Sequence, residues 1–306
     1  MTKELKYYAH TLAEVINWPF FFNAWNLQPR FAGVTAIHNC PACRQEWIHS
    51  FPEEDKVAAK EASKLFDDAT RMINRLDLTH KGFACFGLYP AWSEEEDIIV
   101  EDSRGRWSIP FLRQQHVQHA GDPHLCLADF IRPRELYIKD DIASIMGIFC
   151  VSFHRSDGQV ESFADDYERM LYQTVCDRLA EATAELMHRD VRRIYWGYAP
   201  DEQLTHEQIW NDEYQGIRPA VGYPQIPDQS IIFLLDEILN FGRIGIQLTE
   251  TGMMLPHASA CGLLFGHPST YYFGIGRIGE DQFQDYARRR NLPIPQLRKF
   301  LSRNLE

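Results

Sequence analysis

The chain has 306 residues, 45% hydrophobic and 24% charged, with 43 acidic against 31 basic side chains and a formal net charge of −12. That length buries a large core, and the composition is ordinary for a soluble globular protein. The acidic balance argues against nucleic acid or an anionic membrane surface as the main partner, and leaves room for a basic docking patch on another protein.

No apolar run approaches the length of a membrane span; the longest, around Ile231 to Leu235, is short. The N-terminal segment MTKELKYYAH lacks the apolar core of a signal peptide. Seven cysteines, an odd number spread along the chain, do not resemble a secreted disulfide framework, so the cytoplasm is the expected compartment.

Leu5, Tyr8, Ala9, Leu12, Val15 and Ile16 recur at helical spacing and predict an opening amphipathic helix that Pro19 ends. Trp18, Phe20, Phe21, Phe22 and Trp25 form an aromatic cluster expected mostly in the core. His38-Asn39-Cys40-Pro41-Ala42-Cys43 follows, with His49 six residues further on. C-x-x-C is a metal or redox spacing, and three readings stay open: reduced structural thiols, a metal site completed by His38 and His49, or a redox pair. Ser50-x-x-Glu53 reads as a capping box opening a helix whose buried face carries Ala58, Ala62, Leu65, Phe66, Ala69, Met72, Ile73 and Leu76. Strands are predicted at Gly82–Tyr89, Asp97–Glu101, Trp107–Leu112, Leu125–Phe130 and Ser144–Phe153.

A long helix is predicted over Val160–Arg189, with Asp177 and Glu181 four apart on one face, the spacing of an ordinary solvated acidic stripe. Thr205-x-x-Gln208 is a second capping box. A short helix at Ile231–Leu239 is followed by strands at Ile246–Glu250, Ala260–Phe265 and Tyr271–Gly276, then helices at Glu280–Arg290 and Pro295–Asn304. Strands and helices without strict alternation predict an α+β fold around a largely antiparallel sheet, with no linker or repeat dividing it. Gly274-x-Gly276-x-x-Gly279 matches a dinucleotide fingerprint, but no second parallel strand follows, so close strand–helix packing is the better account of these glycines.

The segment Arg218-Pro219-Ala220-Val221-Gly222-Tyr223, entered through Gly216, is the most informative stretch. Arginine offers a fixed fork of donors to a carboxylate, Pro219 prevents helix, Gly222 allows close approach to the backbone, and Tyr223 supplies an aromatic face with a hydroxyl. By itself the segment is either a turn with a surface ion pair or an anion site.

The run WGYAP…YQGIRPAVGYP from Trp196 resembles the AdoMet-binding signature of the activation (reactivation) domain of cobalamin-dependent methionine synthase. Leu248-Thr249-Glu250, Pro256 through Gly262, His267-Pro268 and Asp285-Tyr286-Ala287-Arg288-Arg289 agree in the same order, as do Leu112 to Gln115 and Leu127 to Phe130 upstream. The resemblance covers nearly the whole chain. It implies a single C-shaped α+β domain over residues 1–306, helices around a twisted antiparallel sheet, with the segment near 31–50 that holds Cys40 and Cys43 as an insertion.

The resemblance further implies a module that binds S-adenosyl-L-methionine and supports reductive methylation of inactive cob(II)alamin. The cobalamin would be carried by the corrinoid-binding domain or subunit of a methionine synthase, with a flavodoxin-like reductant supplying the electron. Asp122-Pro123-His124 begins like a corrinoid-binding motif, but Leu127 stands where its glycine belongs, which fits a corrinoid held by a partner. Carried over position by position, the resemblance assigns AdoMet contacts to Asn17, Arg218, Ala220, Val221, Gly222, Tyr272 and Phe273. Tyr223 takes the catalytic position where ligand meets corrin, and Asp177 and Glu181 become partner-docking acids. It assigns no metal and no role to Cys40 and Cys43. Asn17 stands in place of an acid, Gln229 of a histidine, Leu255 of a tryptophan and Phe273 of a tyrosine. These departures keep open a second function, a non-catalytic AdoMet-binding or docking protein of the same fold.

Overall fold

The computed structural model describes residues 1–117, 119 and 121–305. Its strands are β1 (Thr2–Tyr8), β2 (His80–Glu94), β3 (Asp97–Asp102), β4 (Gly105–Pro110), β5 (Ser144–Arg155), β6 (Gln247–Leu248), β7 (Met254–Leu255) and β8 (Ser259–Leu264). The main sheet runs β4-β3-β2-β5-β8, with β1 also paired to β2, and β6 and β7 form a separate two-stranded ladder. The helices are α1 (Ala9–Ala13), α2 (Trp18–Ala24), α3 (Pro41–His49), α4 (Lys56–Leu76), α5 (Arg134–Asp140), α6 (Asp166–Asp190), α7 (His206–Trp210), α8 (Ile231–Leu239), α9 (Glu280–Arg290) and α10 (Ile294–Phe300). The expected α+β class with a mostly antiparallel sheet is what the chain adopts. Among the described residues no helix is long and apolar enough to cross a membrane.

The chain forms two compact units, one of Met1–Leu5, Ala84–Val151 and Met187–Glu306, the other of Lys6–Phe83 and Ser152–Leu186. In the smaller unit α4 buries Ala59, Ala62, Leu65, Ala69, Met72, Ile73 and Leu76, nearly the face that periodicity predicts. Its start differs. Ser50 ends α3 instead of opening α4, its hydroxyl donating to the Trp47 carbonyl at 2.7 Å, and a 3₁₀ turn over Glu53–Asp55 intervenes. Pro19 begins α2 instead of ending a helix: it sits in the first turn, where no backbone N–H is needed, and the Asn17 carboxamide caps the helix by accepting from the Phe20 N–H at 3.2 Å. The predicted opening helix is split between strand and helix. Residues 2–8 satisfy their backbone groups in β1, and only α1 is helical. In the aromatic cluster Phe21 and Phe22 are core, while Phe20 is exposed. Helix α6 starts at Asp166, six residues later than expected, after a cap in which Asp165 accepts from the Glu168 N–H at 2.7 Å. Along it Leu171, Val175, Leu179, Ala182 and Leu186 are buried, whereas Tyr167 and Met170 at its start are exposed.

His80 lies fully buried in this unit, between the Thr79 hydroxyl at 2.9 Å and the Tyr172 hydroxyl at 3.0 Å, and stacks on Phe153. Burial, the largest cause, lowers its pKa to about 4. The unfolded chain therefore takes up a proton that the folded chain refuses. Stability is whole above the unfolded pKa of about 6.5 and falls by about 1.4 kcal/mol per pH unit from this one group as pH drops toward 4. Urea midpoints at pH 7 and pH 5 measure this, and a His80→Gln variant with an undiminished slope would contradict it.

In the larger unit β2, β3 and β4 form a meander with Ala91 opposite Val100 and Ile98 opposite Ile109. Helices α9 and α10 close a core of Leu112, Ile275, Ile278, Phe283, Tyr286 and Leu297. Two predicted strands are absent. Residues 125–130 make one bridge, Arg113 to Cys126, then a 3₁₀ turn in which the Asp129 carboxylate takes the Cys126 N–H and the Arg113 guanidinium. Residues 271–276 stay irregular, held by single bonds such as Ile275 N–H to the Pro224 carbonyl at 2.9 Å. The glycine fingerprint has no strand before it. Gly276 serves a positive φ of 73°, and Gly279, which precedes α9, donates its N–H to the Gln115 side chain.

Candidate functional site

The site is built on the edge of β8. Residues 217–221 run antiparallel to it: Ile217 and Phe265 exchange N–H···O bonds of 2.9 and 3.0 Å, Leu263 donates to Pro219 at 3.0 Å, and Val221 donates to Cys261 at 3.0 Å. Pro219, opposite Leu263, accepts from it but has no N–H to return, so the ladder lacks one bond at this position. Two glycines permit the approach. At Gly216, with φ +86°, a Cβ would lie 2.4 Å from the Phe265 carbonyl oxygen, and at Gly262 it would lie 2.2 Å from the Pro219 carbonyl oxygen. The pairing turns the Ala220 N–H away from β8, whereas the Val221 N–H is already committed to it. Of Ala220 and Val221, both assigned as ligand contacts by the resemblance, Ala220 is the one whose N–H turns away from β8.

The segment then reverses at Gly222, whose N–H meets the Ile226 carbonyl at 2.8 Å, and presents Tyr223 with 61% of its surface exposed. Beyond it, buried Asp228 accepts from the Tyr286 hydroxyl at 3.0 Å and from Arg290 at 3.2 Å, which pins the loop to α9.

Upstream the chain leaves α6 through a π turn over Val191–Tyr195, in which the Trp196 N–H reaches the Val191 carbonyl at 2.9 Å. This widening turns Arg192 inward, where it makes a two-pronged pair with Glu202 at 2.6 and 2.8 Å and lies 4.4 Å over the Tyr214 ring. His188, one turn earlier, is completely buried edge-on to Tyr214. Burial first, then the charges of Arg192 and Arg218, push its pKa well below the usual range, so it is a neutral imidazole. The Thr205–Gln208 capping box forms as expected at the start of α7.

A hydrogen-bond chain links these parts to the signature. The Arg218 N–H donates to the Tyr272 hydroxyl at 2.9 Å, Tyr272 and Tyr214 share a bond of 3.1 Å, and Tyr214 donates to Asp212 at 2.8 Å. Tyr214 gives its only hydroxyl proton to Asp212, so Tyr272 must be the donor between the two rings. Burial raises the Tyr272 pKa, which keeps it protonated for that role.

A cleft of about 1280 Å³ opens beside this chain. Gly222, Tyr223, Gln229, Tyr272 and Phe273 line it, together with Gln114, Leu125 and residues at and after the end of α10. The structure thus brings together four of the predicted residues, Gly222, Tyr223, Tyr272 and Phe273. Arg218, Ala220 and Val221 are not among the lining residues, and the Arg218 N–H is one hydrogen bond from the lining through Tyr272. Asn17 belongs to the smaller unit, where its side chain is the α2 cap. Asp177 and Glu181 lie on the part of α6 in that unit, with Glu181 paired to Arg178 at 2.7 Å. Cys40 and Cys43 are there too. Sequence reasoning missed Tyr214 and Asp212 as supports of Tyr272, although Tyr214 opens the YQGIRPAVGYP part of the signature and Asp212 stands two residues before it.

An α+β sheet whose edge carries a polar, glycine-gated loop beside an aromatic-lined cleft defines a small-molecule-binding module. Residues 9–291 match the family described as "Vitamin B12 dependent methionine synthase, activation domain", and the chain belongs to that family. A solved structure of the MetH reactivation domain bound to AdoHcy shares the fold with a TM-score of 0.82 at 33% identity, over 100% of this chain and 90% of that one.

Proposed function

We propose that this chain binds AdoMet and supports reductive methylation of cob(II)alamin held on a cobalamin-dependent methionine synthase. The observation that carries the proposal is the end-to-end likeness to an AdoHcy-bound reactivation domain, with the Arg218–Tyr223 loop built onto the β8 edge. The residues present fit the ligand. An arginine suits its carboxylate, the Ala220 N–H suits an acceptor, and Tyr223, Tyr272 and Phe273 offer faces to a purine. When bound, AdoMet supplies an activated methyl group through its sulfonium, so the protein needs no nucleophile of its own. What these residues contribute is binding and alignment: Arg218 anchors one end, Tyr272 and Tyr214 hold the wall in one hydrogen-bond direction, and exposed Tyr223 stands at the mouth. Phe273 packs without a hydroxyl contact. Asp177 and Glu181 would meet the corrinoid-bearing partner.

The test is reconstitution. The full chain, added to a methionine synthase that lacks this module and is trapped as Co(II), should restore methionine formation when AdoMet and a flavodoxin-type reductant are present, and not when AdoMet is omitted. AdoMet binding without rescue would establish the non-catalytic reading instead. Stoichiometric cobalamin on the isolated chain would contradict a partner-borne corrinoid.

A further inference from the structure

The turn into α3 and the first turn of that helix hold a second cluster of chemistry-bearing side chains that the AdoMet reading does not use. One ligating atom from each of His38, Cys40 and Cys43 lies within 4.8 Å of the others. The backbone causes this convergence. The Cys40 N–H closes on the His38 carbonyl at 2.8 Å, a tight turn that folds His38 back beside Cys40. Cys40 is the N-cap of α3, its sulfur accepting from the Cys43 N–H at 3.2 Å, and the two sulfurs are 2.8 Å apart. The helix is anchored beneath them. Buried Arg44 donates to the Val34 carbonyl at 2.8 Å and stacks 5.2 Å over Phe66, while Trp47 and Phe51 pack edge to face.

We infer that His38, Cys40 and Cys43 form a binding site for a thiophilic divalent cation, Zn²⁺ by preference. Tetrahedral Zn²⁺ with bonds of about 2.3 Å to sulfur and about 2.0–2.1 Å to nitrogen requires ligand–ligand distances of about 3.3–3.8 Å. The sulfurs would part by about 1 Å and the imidazole, within 4.8 Å of both, would close on them, which side-chain rotations at the start of a helix allow. Two thiolates neutralise the ion, and the first turn of α3 favours their negative charge. His49, at the far end of the nine-residue α3, is not part of the cluster. Three protein ligands leave one position for water or an added ligand. An imidazole can also serve a dithiol pair by lowering a thiol pKa; what favours the metal is that three ligating atoms of the types Zn²⁺ takes converge on one place.

The experiment uses the full chain, stripped with chelator under a phosphine reductant and titrated with Co²⁺ and then Zn²⁺. One equivalent of Co²⁺ should give thiolate-to-cobalt charge transfer and the visible bands of a tetrahedral site, and Zn²⁺ should displace it. Cys40→Ser with Cys43→Ser should abolish both signals while folding persists, because serine caps a helix at least as well as cysteine. Loss of even an outer-shell partner weakens metal binding about 10- to 100-fold, so His38→Ala should weaken Zn²⁺ by at least about tenfold. Equal Co²⁺ affinity in wild type and the double variant would overturn the inference. An unchanged affinity in His38→Ala would do the same, and so would oxidation to the Cys40–Cys43 disulfide at an equal rate with and without Zn²⁺.

Discussion

Arg192→Ala should destabilise the protein by about 3–5 kcal/mol, because it removes one partner of a buried ion pair and leaves the other charge uncompensated. The Arg192 side chain has no exposed surface and that of Glu202 only 9%, so solvent does little to screen either. The guanidinium also covers the Tyr214 ring, and Tyr214 orients Tyr272 at the cleft wall. Ligand affinity should therefore fall together with stability. Removing both charges in Arg192→Ala/Glu202→Ala should recover part of the loss, since no lone buried charge then remains. Urea unfolding of the three proteins measures this. A single-variant loss below about 1 kcal/mol, the range of an exposed pair, would show that the pair is solvated in solution.

Arg218→Ala should weaken AdoMet by about 2–4 kcal/mol, from the loss of a charge-assisted bond and the stranding of the ligand carboxylate. The Arg218 contact with Tyr272 is made by the backbone N–H, which truncation keeps, so circular dichroism should be nearly unchanged. Arg218→Lys should keep the charge and lose the fork, giving an intermediate affinity. Calorimetric titration with AdoMet decides between these outcomes. Equal binding by Arg218→Ala would place the carboxylate elsewhere, and the next residues to vary would be those lining the cleft itself.

Regular periodicity and short-range capping were legible in the chain. The buried stripe of α4, the Thr205–Gln208 box, the hydrophobic α8 and the strands over Asp97–Pro110 follow from spacing and propensity, because local rules act within a few residues. The signature was legible as an irregular segment, since proline and glycine in that order restrict its backbone.

What the sequence by itself determined, then, is the family and the residues gathered around the loop. Only the tertiary structure decided which backbone groups are satisfied by distant partners. Residues 2–8 have a pattern that serves helix or strand, and pairing with β2 selects strand. Residues 125–130 and 271–276 have strand composition but no ladder, because their polar groups are met by Asp129, Gln114 and Pro224 instead. The same accounting separates Ala220 from Val221 at the site. It places buried His188 and Arg192 behind the wall, where no local pattern marks them, and it turns His38 back onto a cysteine pair that spacing alone left open to three readings.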